Sequence, residues 1–313
     1  MKKLKNEWMN PLSKQEAQLL KQSIMEDVEF VSVLPKEEKK NVYRIPTIIG
    51  SLAMCLLLFV WFVPKDVAVV SIDVNPAIEF KVNTKDRVTD VILHNEQAKE
   101  VVGDMDLYSV DIEVAIHAVI GKMFQQGYLT STKNSMLLTV QSDDEEYRKY
   151  LKDMLVRDIE TSYQMYETPI ALLSQELNMR SDYQSVAKQY NISEGKASLI
   201  MELVDSNENY RVENFVKMSI QDIQMLVNYK DISYQTITAQ GVQSHERYIT
   251  IEELKNIVRN HANAVIIDFE YEMDCDDNRL VYEVSFTDGV AEYEYEVNAI
   301  SGEIIDFEVD LDD

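Results

Sequence analysis

Asn75-Pro76 is a dipeptide whose residue types point to a specific reaction. An X–Pro amide carries no N–H, and its preference for the trans form is weaker than in an ordinary peptide. Where a fold twists such a bond, amide resonance falls and the carbonyl becomes more electrophilic. The side-chain amide of Asn75 can then attack its own main-chain carbonyl, close a five-membered succinimide and expel the proline nitrogen. Pro76 closes the competing route, in which the following N–H deamidates Asn without cutting the chain. The alternative is a plain Asn-Pro turn between strands.

Other candidate sites are weaker. Glu194-Gly195-Lys196 lacks the first glycine of a phosphate loop and has Ala197 in place of the hydroxyl residue, so a helix start capped by Ser193 is expected. Asp274, Asp276 and Asn278 have the alternate spacing of a calcium loop. Arg279 stands where that loop needs glycine, and the closing glutamate is missing, so a solvated hairpin turn is expected. His94, His117, His245 and His261 are scattered without a zinc-ligand pattern, and His117 reads as a core histidine. Two cysteines, Cys55 and Cys275, exclude a disulfide framework and a four-cysteine zinc site. No catalytic cluster for an external substrate is visible. Beyond a single-turnover self-cleavage, no enzyme activity, cofactor or metal is expected.

These residues sit in a chain of 313 residues with a formal net charge of −25, from 30 Lys+Arg against 55 Asp+Glu. That balance repels phosphate backbones, so direct nucleic-acid binding is not expected. An apolar content of 46% with only 8 Gly and 6 Pro indicates folded domains rather than linkers or fibres. The charge is unevenly placed. Residues 1–45 hold nine positive and seven negative side chains, so the excess acid lies beyond them.

From Ile45 to Pro64 no residue is charged. Twenty helical residues span about 30 Å, one hydrocarbon core, so residues 46–64 are expected to form a single transmembrane helix. Trp61 lies near one end, where an interfacial aromatic belongs. Lys36, Lys39, Lys40 and Arg44 precede the run, which places the N-terminus in the cytoplasm and the acidic part outside. In the cytoplasmic segment, residues 1–45, Ser13 and Glu16 form a capping box. Ala17, Leu20, Ile24 and Val28 then make an apolar stripe with nothing of its own to bury against, so it either packs on a partner or lies on the membrane surface, and its mixed charges favour a protein partner.

The outer part opens with strand-like runs at 67–74, 78–82 and 88–93. A helix is expected over 110–126, ended by Gly127, then a strand at 136–140, a helix at 143–163 and a strand at 170–173. Residues 181–230 read as helices broken near Asn191 and Ser206-Asn207. A helix at 251–262 precedes strands at 265–273, 280–287, 290–298 and 303–309, with turns at Asp276-Asp277-Asn278, Asp288-Gly289 and Ser301-Gly302. The fold class is therefore α+β.

SIDVNPAIEFKVN, a segment around Gly103 and AIHAVIGKMFQQGYL resemble the first extracytoplasmic domain of RsgI-type membrane-bound anti-sigma factors. YNISEGKASLIMELVDSN and KMSIQDIQML resemble the helical end of the same region, so the likeness covers roughly residues 66–230. Its most specific element is D-x-N-P-x-I-E-x-x-V-N, here Asp73 to Asn83. The resemblance implies a single-pass protein with a cytoplasmic sigma-binding segment and an outer sensory part. It also implies an outer domain of SEA-like mixed α/β fold that cuts itself at Asn75-Pro76, its halves staying associated. The N-terminal part departs from the family, which has a compact, partly β-stranded module where this chain offers mainly one amphipathic helix. AEYEYEVNAISGEIIDFEVD resembles the ending of a PepSY domain, a module common on outer parts of bacterial regulatory proteins.

The expected organisation is a sigma-binding segment at 1–45, a transmembrane helix at 46–64, an outer domain at 66–180, a helical extension at 181–240 and a PepSY-like domain at 245–313. The expected function is sequestration of a sigma factor, released by an outer signal and by intramembrane and outer proteases. The expected partners are that sigma factor and an extracytoplasmic ligand or protein. The rival reading is an anchored outer binding or assembly module with no sigma-factor binding.

Overall fold

The computed structural model describes residues 66–311, together with Gln15, Gln18 and Leu19, which are helical. The apolar run 46–64 and the stripe Ala17, Leu20, Ile24 and Val28 lie outside the described residues. Among the described residues no helix is long and apolar enough to cross a membrane.

Six strands make the first sheet: β1 (Asp66–Asp73), β2 (Ala77–Asn83), β3 (Val88–Leu93), β4 (Ser135–Gln141), β5 (Ala171–Leu177) and β6 (Thr238–Gly241). Their order is β3-β2-β1-β4-β5-β6, so β1 is an interior strand. All neighbours are antiparallel except β4 and β5. That parallel pair needs a crossover, which is α3 (Glu145–Met165). Two shorter helices, α1 (Glu96–Val102) and α2 (Ile112–Gln125), fill the β3–β4 connection. The sequence reading missed α1 and β6.

Alternation along β1 and β4 assigns opposite roles to the two faces. Ala68, Val70, Ile72, Met136, Leu138 and Val140 are fully buried, in one core with Ile116 and Ile120 of α2 and Leu155 and Ile159 of α3. The opposite face carries the buried polar residues Ser71, Asp73, Thr139 and Gln141, together with Leu137, which belongs to a second apolar core. This second face meets α5 (Glu194–Ser206), which Ser193 caps by accepting from Lys196 N–H. A Cβ at Gly195 would stand 2.0 Å from Thr139 Oγ1. Gln175 Nε2 donates to Thr139 Oγ1 at 2.9 Å and to the Gly195 carbonyl at 2.8 Å. The glycine of the rejected phosphate-loop string is there because helix and sheet touch.

The helices α4 (Gln184–Tyr190) and α6 (Ile220–Tyr229) complete the central region, and α7 (Ile251–Ala262) opens the C-terminal one. Thr250 and Glu253 form a capping box on α7. Strands β7 (Ile267–Asp276), β8 (Arg279–Thr287), β9 (Ala291–Asn298) and β10 (Ile304–Leu311) make an antiparallel meander. Leu254, Val258, Leu280, Tyr282 and Val297 share one apolar core with Leu203, Phe215, Ile223 and Leu226. Asp277 and Asn278 have φ of 42° and 63°, so the calcium-like spacing is a tight hairpin turn. Asn278 Oδ1 accepts from Lys217 N–H at 2.9 Å.

The open face of the meander is acidic. Glu272, Glu283, Glu296 and Asp306 lie directly opposite one another across the four strands. In the next row Glu270 and Glu294 flank Ser285, and Glu308 lies opposite Glu294. Like charges facing across a ladder are destabilising. Burial first, then the neighbouring carboxylates, pushes Glu283 and Glu296 above the usual glutamate range. A carboxyl raised in the folded state contributes stability below its unfolded pKa and loses it as pH rises through the folded value. Mild acid or added salt is therefore expected to raise the melting temperature of this region. Calorimetry at two salt concentrations checks this, and a melting temperature that falls with salt overturns it.

Candidate functional site

Asp73 and Ala77 are the last ladder pair of the first hairpin, so Val74, Asn75 and Pro76 form its tip. Val74 N–H donates to the Pro76 carbonyl at 3.0 Å. Asn75 is exposed, whereas Val74 and Pro76 are buried. The bond singled out by its chemistry is thus anchored on both sides and reachable in the middle.

Two distant segments grip this tip. Asn95 precedes α1 in an extended conformation and caps it: its Oδ1 accepts from Ala98 N–H at 2.9 Å. Its Nδ2 donates to the carbonyl of Asn75 at 2.7 Å. Beside it His94 N–H donates to the Ala77 carbonyl at 3.1 Å, and Asn191 Nδ2 donates to the His94 carbonyl at 2.8 Å. From the other side, Ile220 N–H at the start of α6 donates to the Val74 carbonyl at 2.9 Å.

The segment leading to α6 is held by a buried charge. Lys196 Nζ donates to the carbonyls of Val216 at 2.8 Å and Met218 at 2.7 Å. Burial lowers this lysine to about 8, against the opposing pull of Asp73 and Asp222. Asp73, 1% exposed at the end of β1, accepts from Ser193 Oγ at 2.7 Å. Burial raises Asp73 to about 6, while Ser193 and Lys196 act in the other direction. His94 Nε2 lies 3.0 Å from Glu79. Burial disfavours its imidazolium, but the Glu79 contact and charge outweigh that and raise its pKa. A cleft of about 230 Å³ adjoins the tip, lined by Asn75, Tyr128, Lys133, Lys217, Asp222 and Arg247.

Residues 67–202 match the family model described as the anti-sigma factor RsgI-like central domain, and residues 248–308 match the PepSY model, described as peptidase propeptide and YPEB domain. The chain carries an RsgI-like central domain followed by a PepSY domain. Among curated relatives, anti-sigma-I factor RsgI9 of Acetivibrio thermocellus is 25% identical over 207 residues, 60% of this chain and 29% of that protein. Anti-sigma-I factor RsgI of Bacillus subtilis is 27% identical over 149 residues, 45% of this chain and 38% of that one. RsgI3 of Acetivibrio thermocellus is 20% identical over 208 residues, 61% of this chain and 32% of that one. The matched part thus spans about a third of the length of these relatives.

Within the RsgI-like domain, the structure places Asn75 and Pro76 at the tip of the first hairpin, and the resemblance read from Asp73 to Asn83 falls on β1, that tip and β2. The stripe Ala17, Leu20, Ile24 and Val28 lies outside the described residues. Sequence reasoning missed Asn95, Lys196 and Ile220 as residues around the tip. Asn95 was open to detection as a cap, since Asn followed by Glu96-Gln97-Ala98 is a helix start. His117 is half-buried, with Nδ1 2.6 Å from Ser162 Oγ. Among the described residues no group of His, Cys, Asp or Glu has the arrangement of a metal site.

Proposed function

We propose that this protein is a single-pass membrane anti-sigma factor whose outer domain cuts itself at Asn75-Pro76. The supporting observation is the match of residues 67–202 to the RsgI-like central domain, with the Asn-Pro bond at the tip of its first hairpin. Residues 1–45 hold a sigma factor in the cytoplasm through Ala17, Leu20, Ile24 and Val28, residues 46–64 cross the membrane, and the RsgI-like and PepSY domains receive the signal outside.

In the self-cleavage, the Asn75 Nδ2 lone pair forms a bond to the Asn75 carbonyl carbon. The carbonyl π pair moves to oxygen, and Nδ2 gives a proton to solvent. Collapse of this intermediate breaks the C–N bond to Pro76, whose nitrogen keeps the bonding pair and takes up a proton. The products are a C-terminal succinimide on residues 1–75 and a free proline amine on residues 76–313. Water later opens the succinimide. Withdrawal of residues 76–313 by the outer signal leaves a short membrane stub, the kind of substrate an intramembrane protease cuts to free the cytoplasmic segment.

The test is retention of cytoplasmic proteins on immobilised residues 1–45. A sigma factor identified by mass spectrometry is the expected result. The double substitution Leu20→Asp, Ile24→Asp is expected to weaken that retention at least about tenfold, a cost of roughly 1.4 kcal/mol. Retention unchanged by the substitution overturns docking through the stripe. Absence of any sigma factor favours the anchored assembly module.

A further inference from the structure

We propose that Asn95 is a catalytic residue of the self-cleavage, the donor that stabilises the oxyanion formed on the Asn75 carbonyl. This rests on the reading that Asn75-Pro76 cuts itself. Its Nδ2 lies 2.7 Å from the oxygen that takes up negative charge when Asn75 Nδ2 attacks. That is within the range of a donor placed for an oxyanion.

The orientation of the Asn95 amide follows from its partners. Its Oδ1 faces two N–H donors, Ala98 at 2.9 Å and Ala77 at 3.4 Å. Two donors require oxygen at that position, which turns the NH₂ group toward Asn75. Capping α1 therefore fixes the amide before any reaction occurs. A donor held in place by other bonds has no reorientation cost as charge develops, which is the condition for a large effect on rate.

The ladder around the tip keeps this geometry. Ala77 belongs to β2 and pairs with Asp73, so the donor to Asn95 Oδ1 is fixed by the sheet. His94 N–H bonds to the Ala77 carbonyl at 3.1 Å and ties the residue before Asn95 to the residue after Pro76. Displacement of α1 would move the donor and the scissile carbonyl apart.

Asn95→Asp and Asn95→Ser separate the two roles of this side chain. Both keep an oxygen that caps α1, and neither offers an amide donor. Full-length protein made by cell-free translation with lipid vesicles is sampled over time on denaturing gels, with Asn75→Ala as the uncut control. Both variants are expected to cleave on the order of 100-fold more slowly than wild type, the cost of losing one oxyanion donor. Acidification adds a readout that a structural role would not move. Below its pKa the carboxyl introduced by Asn95→Asp carries a proton and regains a donor. The rate of that variant relative to wild type at the same pH should therefore rise toward pH 4, and that of Asn95→Ser should not. Wild-type rates in both variants, or no relative recovery of Asn95→Asp, overturn the role of Asn95 while leaving self-cleavage intact. Failure of both cap-keeping variants to fold makes Asn95 a structural residue and also overturns it. Wild-type chain that stays intact overturns the self-cleavage itself, and this role with it.

Discussion

Full-length protein purified from membranes is expected to run as two bands on a denaturing gel. The smaller holds residues 1–75, and Edman sequencing of the larger begins Pro-Ala-Ile-Glu-Phe. Asn75→Ala is expected to give one intact band, because it removes the attacking nitrogen. It keeps the main-chain carbonyl that accepts from Asn95 and changes an exposed side chain. Its effect on stability should therefore stay within about 0.5 kcal/mol, as at other exposed positions. A mass measurement on the small fragment distinguishes the route. Succinimide closure leaves a fragment lighter by one water than the hydrolysed form, and the first converts to the second with time. A single wild-type band after prolonged incubation would leave Asn75-Pro76 as a turn only. Cleavage that survives Asn75→Ala would assign it to another agent, such as a contaminating protease.

Much of the fold was legible because its elements are long and periodic. The alternation of VAVVSIDV and the stripe Ile112, Ala115, Ile116, Val119, Ile120, Met123 announce β1 and α2 directly. The sequence reading missed two short elements for different reasons. The seven residues of α1 give two turns, too few to show a period, and only the cap at Asn95 marks it. The four residues of β6 are mostly exposed and contain no alternation, since what makes them a strand is the edge of β5.

Of the candidate site, only the dipeptide was visible in the sequence. Asn75-Pro76 could be picked out because both groups that the proposed cleavage would join lie in one dipeptide. The donor to the carbonyl is 20 residues away and reaches it through tertiary packing. Ile220 bonds to the tip, and Lys196 holds the segment leading to Ile220, both from more than a hundred residues away, and nothing in their local patterns marks them for it. Gly195 shows the same limit from the other side. Its string suggests phosphate, whereas its cause is the lack of room for a Cβ beside Thr139, visible only once helix and sheet are packed.

After cleavage the two parts are expected to stay together, because the small one ends in the middle of a sheet. β1 pairs with β2 from Asp66 to Asp73 and with β4 from Val69 to Asp73. Ser142 Oγ adds a bond to the Val67 carbonyl at 2.8 Å. Val70 and Ile72 are fully buried, and exposing them alone costs roughly 3–6 kcal/mol, at about 1.5–3 kcal/mol each. That corresponds to a factor of at least about 100 in dissociation constant before the ladder bonds are counted. Cut protein should therefore elute as one species in native buffer and separate only in denaturant. Force applied along β1 loads its bonds to β2 and β4 together, so the strand should resist and then leave in one event. In single-molecule pulling from Asp66 to Asp313, cut protein is expected to lose its tether abruptly. The uncut Asn75→Ala chain should instead lengthen by unfolding and remain attached. Spontaneous separation of the halves in native buffer, or a cut chain that lengthens like Asn75→Ala, would overturn the expectation that β1 holds the cut halves together until they are pulled apart.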